Sequence, residues 1–142
     1  MFHKVSGYIA IVYSLLHGIG HLFGSVSALS SADSIEEINE ILTHKKFERK
    51  LSYVELVFTT LPGLTGMSLC VIAITMWALS LSCVRHKKWE LFSYSHLLYY
   101  FFIIGMVVHG ADTWLNPGFP LSSPFAAVCV VFLLLTFIRR RV

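Results

Sequence analysis

The sequence predicts an all-α membrane protein, a bundle of four transmembrane helices. Three observations support this prediction: 56% of the 142 residues are hydrophobic, only 13% are charged, and the apolar residues fall into long runs. Soluble domains carry roughly a quarter charged residues, so the apolar excess here has to face a lipid bilayer rather than water. Because backbone polar groups cannot stay unpaired in lipid, the spanning segments have to be helices.

Four apolar runs have the length that a bilayer requires. A hydrocarbon core about 30 Å thick is crossed by about 20 helical residues. The runs extend over Val5–Leu29, Phe58–Val84, Leu91–Gly110 and Leu121–Ile138. We interpret the whole chain, 1–142, as one integral membrane domain.

The cations predict the orientation of these helices. Most of them precede the first helix, lie between the second and third, or close the chain: Lys4, Arg85, Lys87, Lys88, Arg139, Arg140 and Arg141. By the positive-inside rule this side is cytoplasmic, so both termini are predicted to be cytosolic. The outer segment 30–53 also carries cations, which makes the asymmetry incomplete.

The outer segment contains one predicted helix. Ser34 followed by Glu37 matches a capping box, and apolar residues then recur at helical spacing. These residues are Ile35, Ile38, Ile41 and Leu42. We expect a short amphipathic helix on the outer membrane face, and favour a surface helix that covers the bundle over a partner-binding helix.

Charge and cysteine usage exclude several classes of protein. The net charge of +3 is small and scattered, so no nucleic-acid partner is expected. The three cysteines lie far apart without a CxxC pair, which excludes a disulfide scaffold or a zinc site and favours helix packing.

Four of the seven histidines lie at matched depths on two predicted helices. His3 and His17 are fourteen residues apart on the first helix, and His96 and His109 are thirteen apart on the third. At about 1.5 Å per residue, both separations are about 20 Å. Because two crossings make these helices parallel, His3 is expected to meet His96 near the inner side, and His17 to meet His109 near the outer side.

Two histidine pairs stacked across a membrane are the ligands that two bis-histidine haems require. We expect room for the flat macrocycles at nearby glycines, namely Gly18, Gly20, Gly24, Gly105 and Gly110. In an ideal helix, however, His96 and His109 would point about 140° apart. A distortion at Gly105 or an irregular turn at His96 would ease this conflict.

The remaining histidines have weaker assignments. His21 lies one turn beyond His17 on the same face. It is a hydrogen-bonding partner of the site, a proton relay, a polar group at an oxygen site, or an interfacial histidine that reaches water. His44 and His86 lie in polar segments and are predicted to be solvated. For the four paired histidines the alternative role is helix packing through hydrogen bonds.

Five ordered motifs stand out: Phe2-His3-Lys4, the run Leu16–Phe23 (LHGIGHLF), the run Leu61–Met67 (LPGLTGM), the run Trp89–Leu98 (WELFSYSHLL) and Val108-His109-Gly110. Together they resemble the NADPH oxidase family and its ferric-reductase-like transmembrane domain. The order and the histidine spacings match as well. The resemblance covers nearly the whole chain and is weakest after Ala111.

The resemblance implies the third to sixth helices of a six-helix domain that carries two haems b. In that family, electrons pass from NADPH to FAD, to the inner haem, to the outer haem and to molecular oxygen, which produces superoxide. By motif, His3 and His96 would hold the inner haem, and His17 and His109 the outer haem. His21 matches a histidine that the family places by the outer haem, where oxygen is reduced.

The family's first two helices and its FAD/NADPH domain have no counterpart in this sequence, and Gly18, Gly20 and Gly24 lack the spacing of a dinucleotide fingerprint. The resemblance therefore implies an oxidoreductase that needs FAD and NADPH from a further domain or a partner. A cytosolic flavoprotein would dock on the basic inner surface, or the chain would associate with a full-length oxidase. Contact with anionic lipid is the simpler role for those cations.

Three alternatives stay open at this point. Without haem, the histidine column would conduct protons, since histidine titrates near neutral pH. A non-catalytic chain would modulate a full-length oxidase. With haem, ferric iron rather than oxygen would be the acceptor. The membrane, plasma or internal, is also open.

Overall fold

The computed structural model of the chain describes residues 2–42 and 46–111 and four single positions, Val130, Val131, Leu134 and Ile138. Within these residues the fold is all-α. Three helical stretches are long and apolar enough to cross a membrane: Phe2–Ser31, Leu61–Ser80 and Trp89–Ala111. They correspond to the first three predicted spans. The fourth, Leu121–Ile138, lies outside the described residues apart from the four single positions, which are helical.

The first span consists of three consecutive helical segments. Helix α1 (Phe2–Gly20) continues into a π-helical turn (His21–Val26) and then into α2 (Ser27–Ser31). A π-helical turn is wider than an α-helical one and often occurs at functional sites. The widening begins at His21, directly after the helix that carries His17.

A small cap of helices follows the first span. Helix α3 (Ile35–Ile41) confirms the predicted amphipathic helix, and Ser34 caps it by accepting a hydrogen bond from the Glu37 N–H at 3.1 Å. The Glu37 carboxylate accepts from the Asp33 N–H rather than from Ser34, so the box is shifted by one residue. Helix α4 (Tyr53–Phe58) begins with a complete capping box formed by Ser52 and Glu55, which the sequence analysis missed.

The cap contains the buried apolar core of the described chain. Its members come from the end of the first span, from α3 and from α4: Val26, Leu29, Ala32, Ile38, Leu42, Leu56 and Val57. Ile38 and Leu42 are 2% and 1% exposed, so the apolar stripe of α3 packs on the protein. The spans differ, since large side chains such as Phe23 and Phe101 are mostly exposed, as a lipid-facing surface requires.

Polar contacts hold the segment between α3 and α4. Asn39 exchanges two hydrogen bonds with the backbone of Phe47, at 2.8 and 3.0 Å. Arg49 forms an ion pair with Glu55 at 2.8 Å. Hydrogen bonds from Arg49 and from the backbone and side chain of Ser52 lower the pKa of Glu55 to about 2.

The second span is the central helix. Helix α5 (Leu61–Ser80) begins at the N-cap Thr60, whose hydroxyl accepts from the Gly63 N–H, with Pro62 in its first turn. Proline is favourable there because the first N–H groups of a helix lack an intrahelical partner. A short helix α6 (Ser82–Lys87) links it to the third span.

The third span is broken into α7 (Trp89–His96) and α8 (Tyr99–Ala111). Helix α5 packs against α1, α7 and α8. Among the described residues, α1 approaches α7 and α8 far less closely than it approaches α5. A gap therefore separates the two helices that carry the paired histidines.

Candidate functional site

The inner histidine pair lies across this gap at one end of the bundle. His3 comes from the first turn of α1, and His96 is the last residue of α7. Their ring centres are 6.1 Å apart and their planes are inclined at 79°. The Nδ1 atom of His96 is buried and has no hydrogen-bond partner among the described residues.

A cavity of about 250 Å³ lies at the inner pair and has largely apolar walls. His3 and His96 both line it, together with the cations Lys4 and Arg85. Gly7 also lines it, and a Cβ atom at that position would meet nothing within 4 Å. The cavity thus combines two imidazoles, two cations and free space. It also places Lys4 and Arg85 at the same end of the bundle, as their sequence positions predict.

The outer histidine pair lies at the other end of the same gap. The ring centres of His17 and His109 are 6.3 Å apart, with the planes inclined at 83°. His21 is in ring contact with His17, at 4.5 Å between centres. The His21 Nδ1 atom lies 3.3 Å from the Ser25 hydroxyl, within the π-helical turn. The structure therefore brings together each pair of histidines that the depth argument matched.

Helix α5 supplies the surroundings of His109. The Thr65 hydroxyl oxygen lies 2.9 Å from His109 Nδ1. A Cβ atom on Gly66 would lie 3.1 Å from Cε1 of the His109 ring, so the ring packs on a glycine surface. Thr65 and Gly66 were not among the predicted site residues. The signal that points to them is the motif Leu61–Met67, which contains both and carries part of the resemblance described above.

The break in the third span reduces the angle of about 140° that an ideal helix would place between His96 and His109. The N–H groups of Leu97, Leu98 and Tyr100 each donate to the carbonyl three residues earlier. A 3₁₀ turn advances about 120° per residue rather than about 100°, which reduces the angle between the two histidines. The irregularity directly follows His96, one of the two positions expected, and α8 continues without a break through Gly105, the other.

The glycines have different roles from those expected. A Cβ atom on Gly105 would lie 3.0 Å from Leu69 Cδ2, and one on Gly18 would lie 3.4 Å from Cys70 Sγ. Both glycines therefore face α5, and the expectation that they leave room for a macrocycle was wrong. At Gly20 and Gly24 a Cβ atom would meet nothing within 4 Å.

The other predicted features are only partly described. His86 is exposed on α6, as expected for a solvated side chain. Cys70 and Cys83 are free thiols. Several positions lie outside the described residues, namely His44, Cys129, Arg139, Arg140 and Arg141.

The donor set and its spacing fit a haem. Two imidazoles that share one metal ion at bonds of about 2 Å place their ring centres about 6 Å apart. Both pairs meet this spacing. Imidazole nitrogen is a common axial ligand of haem iron, and the cations at the inner cavity match the carboxylates that a haem carries.

The fold and the site define a class of membrane protein. In this class, two facing spans carry two histidine pairs, one pair at each end. The chain belongs to the ferric reductase-like transmembrane family: the family described as "Ferric reductase like transmembrane component" matches residues 1–107. This confirms the resemblance that the motifs indicated. The family is generally haem-binding.

Individual relatives lie in two groups of oxidoreductases. Mouse NADPH oxidase 1 is 27% identical over 122 residues, which cover 77% of this chain and 21% of the relative. Human NADPH oxidase 5 is 28% identical over 152 residues, covering 92% and 18%. Ferric reduction oxidase 4 of Arabidopsis thaliana is 45% identical over 56 residues, covering 39% and 8%. The chain spans about a fifth or less of the length of these relatives.

Proposed function

We propose that the protein binds two haems b and passes electrons across the membrane through them. The observation that supports this function best is the spacing of the two histidine pairs, 6.1 and 6.3 Å between ring centres. His3 and His96 would hold the inner haem, and His17 and His109 the outer haem. Bound haem supplies one-electron chemistry at its iron.

The residues of this chain would hold the two groups apart in an apolar environment. His3 and His17 are fourteen residues apart on α1, about 20 Å at the rise of a helix. The apolar walls of the inner cavity would exclude water. Lys4 and Arg85 would pair with the haem carboxylates there, since a carboxylate in an apolar site needs a cation.

Electrons would enter on the basic side and leave on the other. A cytosolic FAD/NADPH domain or a separate flavoprotein would dock on the surface of Arg85, Lys87 and Lys88 and deliver them. Molecular oxygen would accept them at the outer end and become superoxide. His21, in contact with His17, would be the polar group at that place. The proposal includes a fourth helix over 121–138 and cytosolic termini.

A second acceptor is favoured by one observation. The highest of the three identities reported above, 45%, is to a ferric reduction oxidase rather than to an NADPH oxidase. Ferric iron would then be the substrate reduced at the outer face. Reduced protein in liposomes, exposed to oxygen or to an external ferric chelate, separates the two acceptors by the rate at which the haem spectrum reoxidises.

The first experiment is a haem count. Detergent-purified protein is measured by absorption spectra before and after dithionite and by pyridine haemochrome. We expect two haems b per chain, one in His17→Leu or His109→Leu, and two in the control His86→Leu on the exposed helix α6. Protein without haem from haem-supplied cells would overturn the proposal and favour proton conduction or modulation of a full-length oxidase.

A further inference from the structure

We propose that Thr65 is the positioning residue of the outer haem. It holds the His109 imidazole with its proton on Nδ1 and leaves the Nε2 lone pair to the iron. This inference rests on the proposed function in one respect: the proposed function identifies haem iron as the group that Nε2 binds. The orientation of the ring and the position of its proton follow from contacts within the protein.

Hydrogen-bond accounting at Thr65 decides which atom donates. The Thr65 oxygen lies 2.6 Å from the Leu61 carbonyl oxygen and 2.9 Å from His109 Nδ1. The Pro62 carbonyl oxygen lies 3.4 Å from the Thr65 oxygen and is also a hydrogen-bond partner of His109. Carbonyls only accept, and a hydroxyl has a single proton, so that proton goes to Leu61, the nearer of the two carbonyls. The same oxygen must then accept from the ring, which places the His109 proton on Nδ1. A neutral imidazole has one N–H, so Nε2 carries the free lone pair.

Packing holds the ring in the same orientation. His109 lies on α8 against α5, with Cε1 where a side chain on Gly66 would otherwise stand, 3.1 Å from its Cβ position. Gly66 follows Thr65 directly, so one turn of α5 supplies both the hydrogen-bond acceptor and the flat surface. The Thr65–His109 bond is partly buried, which limits competition from water.

The inner ligand on the same span lacks this support. His96 Nδ1 is buried without a hydrogen-bond partner among the described residues. An N–H that donates to an oxygen makes the opposite ring nitrogen a stronger electron donor, and such outer contacts affect metal affinity about 10- to 100-fold. A stronger donor favours ferric over ferrous iron. Because Thr65 bonds to His109, the ligand proposed for the outer haem, we expect its effect there.

Three variants separate the hydroxyl from the rest of the side chain. Thr65→Val keeps the shape and removes the oxygen, and Thr65→Ser keeps the oxygen. Thr75→Val is the matched control, because Thr75 lies on the same helix and its hydroxyl also donates to the carbonyl four residues earlier, at 2.8 Å. Both haems are followed by visible spectra during a potentiometric titration of the purified protein.

We expect Thr65→Val to change the ferric-to-ferrous affinity ratio of the outer haem by about tenfold, which is about 59 mV toward positive potential. The inner haem should not shift, and Thr65→Ser and Thr75→Val should match the wild type. Thr65→Val could also lose the outer haem altogether. In that case, an outer haem retained in both Thr65→Ser and Thr75→Val would support the inference equally. An outer potential in Thr65→Val equal to that of the wild type would overturn the inference.

A measurement without haem separates this inference from the proposed function. Histidine ¹⁵N spectra of the haem-free protein report which ring nitrogen is protonated, and His109→Gln assigns the signal. We expect the Nδ1–H form in the wild type and in Thr75→Val, and a weaker preference for it in Thr65→Val, where the Pro62 carbonyl is the partner that remains. An Nε2–H form in the wild type would contradict the inference even if two haems bind. A wild type that binds no haem but shows Nδ1–H would contradict only the proposed function.

Discussion

A methyl group placed on Gly63 would overlap the carbonyl oxygen of Leu56. The first turn of α5 therefore packs directly on the backbone of α4, with no space for a side chain between them. This contact joins the buried cap to the central helix.

We predict that Gly63→Ala destabilises the protein by about 3 kcal/mol, the upper part of the range for overpacking, because the opposing atoms are backbone. Thermal unfolding in detergent measures the loss. Gly20→Ala is the control, since a Cβ atom there meets nothing within 4 Å, and it should be neutral or slightly stabilising. Equal stabilities of the two variants would contradict the close approach of α4 and α5.

Leu56 is a second single residue on which the stability of the cap depends. It is 1% exposed, and Leu56→Ala should cost about 2–5 kcal/mol through lost burial and a cavity. Val54→Ala on the same helix is the control, because Val54 is 63% exposed and should change stability by less than about 0.5 kcal/mol. The two midpoints of thermal unfolding, measured in one detergent, test this difference.

The Glu55 carboxylate predicts a pH dependence of stability. Its pKa falls from 4.5 to about 2 on folding, through hydrogen bonds from Arg49 and Ser52. A lowered carboxyl pKa stabilises the folded state at pH values above the unfolded pKa, and this contribution is lost as the pH falls toward 2. The melting temperature of the wild type should exceed that of Glu55→Gln at pH 7, and the difference should shrink below about pH 4.5.

The matched control for this prediction is Glu48→Gln, which changes an exposed carboxylate of the same segment. Its difference from the wild type should be smaller than that of Glu55→Gln at pH 7. A difference for Glu55→Gln that stays constant from pH 7 to pH 3 would show that the carboxylate charge does not stabilise the cap.

Gly7→Leu tests the inner cavity as a binding site. Gly7 lines the cavity between His3 and His96, and a side chain there would take up space that a flat ligand needs. We expect the haem content to fall from two to one per chain, with the outer haem spectrum kept. Val12→Leu, which enlarges an exposed side chain on the opposite face of the same helix and outside that cavity, should keep both haems. Loss of both haems in Gly7→Leu alone would indicate misfolding rather than a blocked site.

Hydropathy and spacing predicted a large part of this architecture. The three candidate spans follow from apolar runs of the length that a bilayer requires, a property of composition alone. The meeting of His3 with His96 and of His17 with His109 follows from residue counts and the rise of a helix. The haem ligation that these pairs suggest stays a prediction until haem is measured.

Other features depend on contacts between residues far apart in the chain. Nothing local to Gly105 or Gly18 distinguishes a glycine that packs on α5 from one that borders a cavity. The 3₁₀ turn after His96 uses ordinary helix-forming leucines, so its position has no signature in residue type. The role of Thr65 appears only when α8 packs against α5, which joins residues 44 positions apart.

The sequence by itself determined the all-α membrane class, the three candidate spans and the pairing of the histidines, because these properties need only the rise of a helix and the thickness of the bilayer. The tertiary structure decided which glycines pack against side chains of a neighbouring helix, where the third span breaks, and which side chain hydrogen-bonds to His109. These properties depend on the separation of two helices at particular atoms, and residue spacing along either helix does not specify that separation.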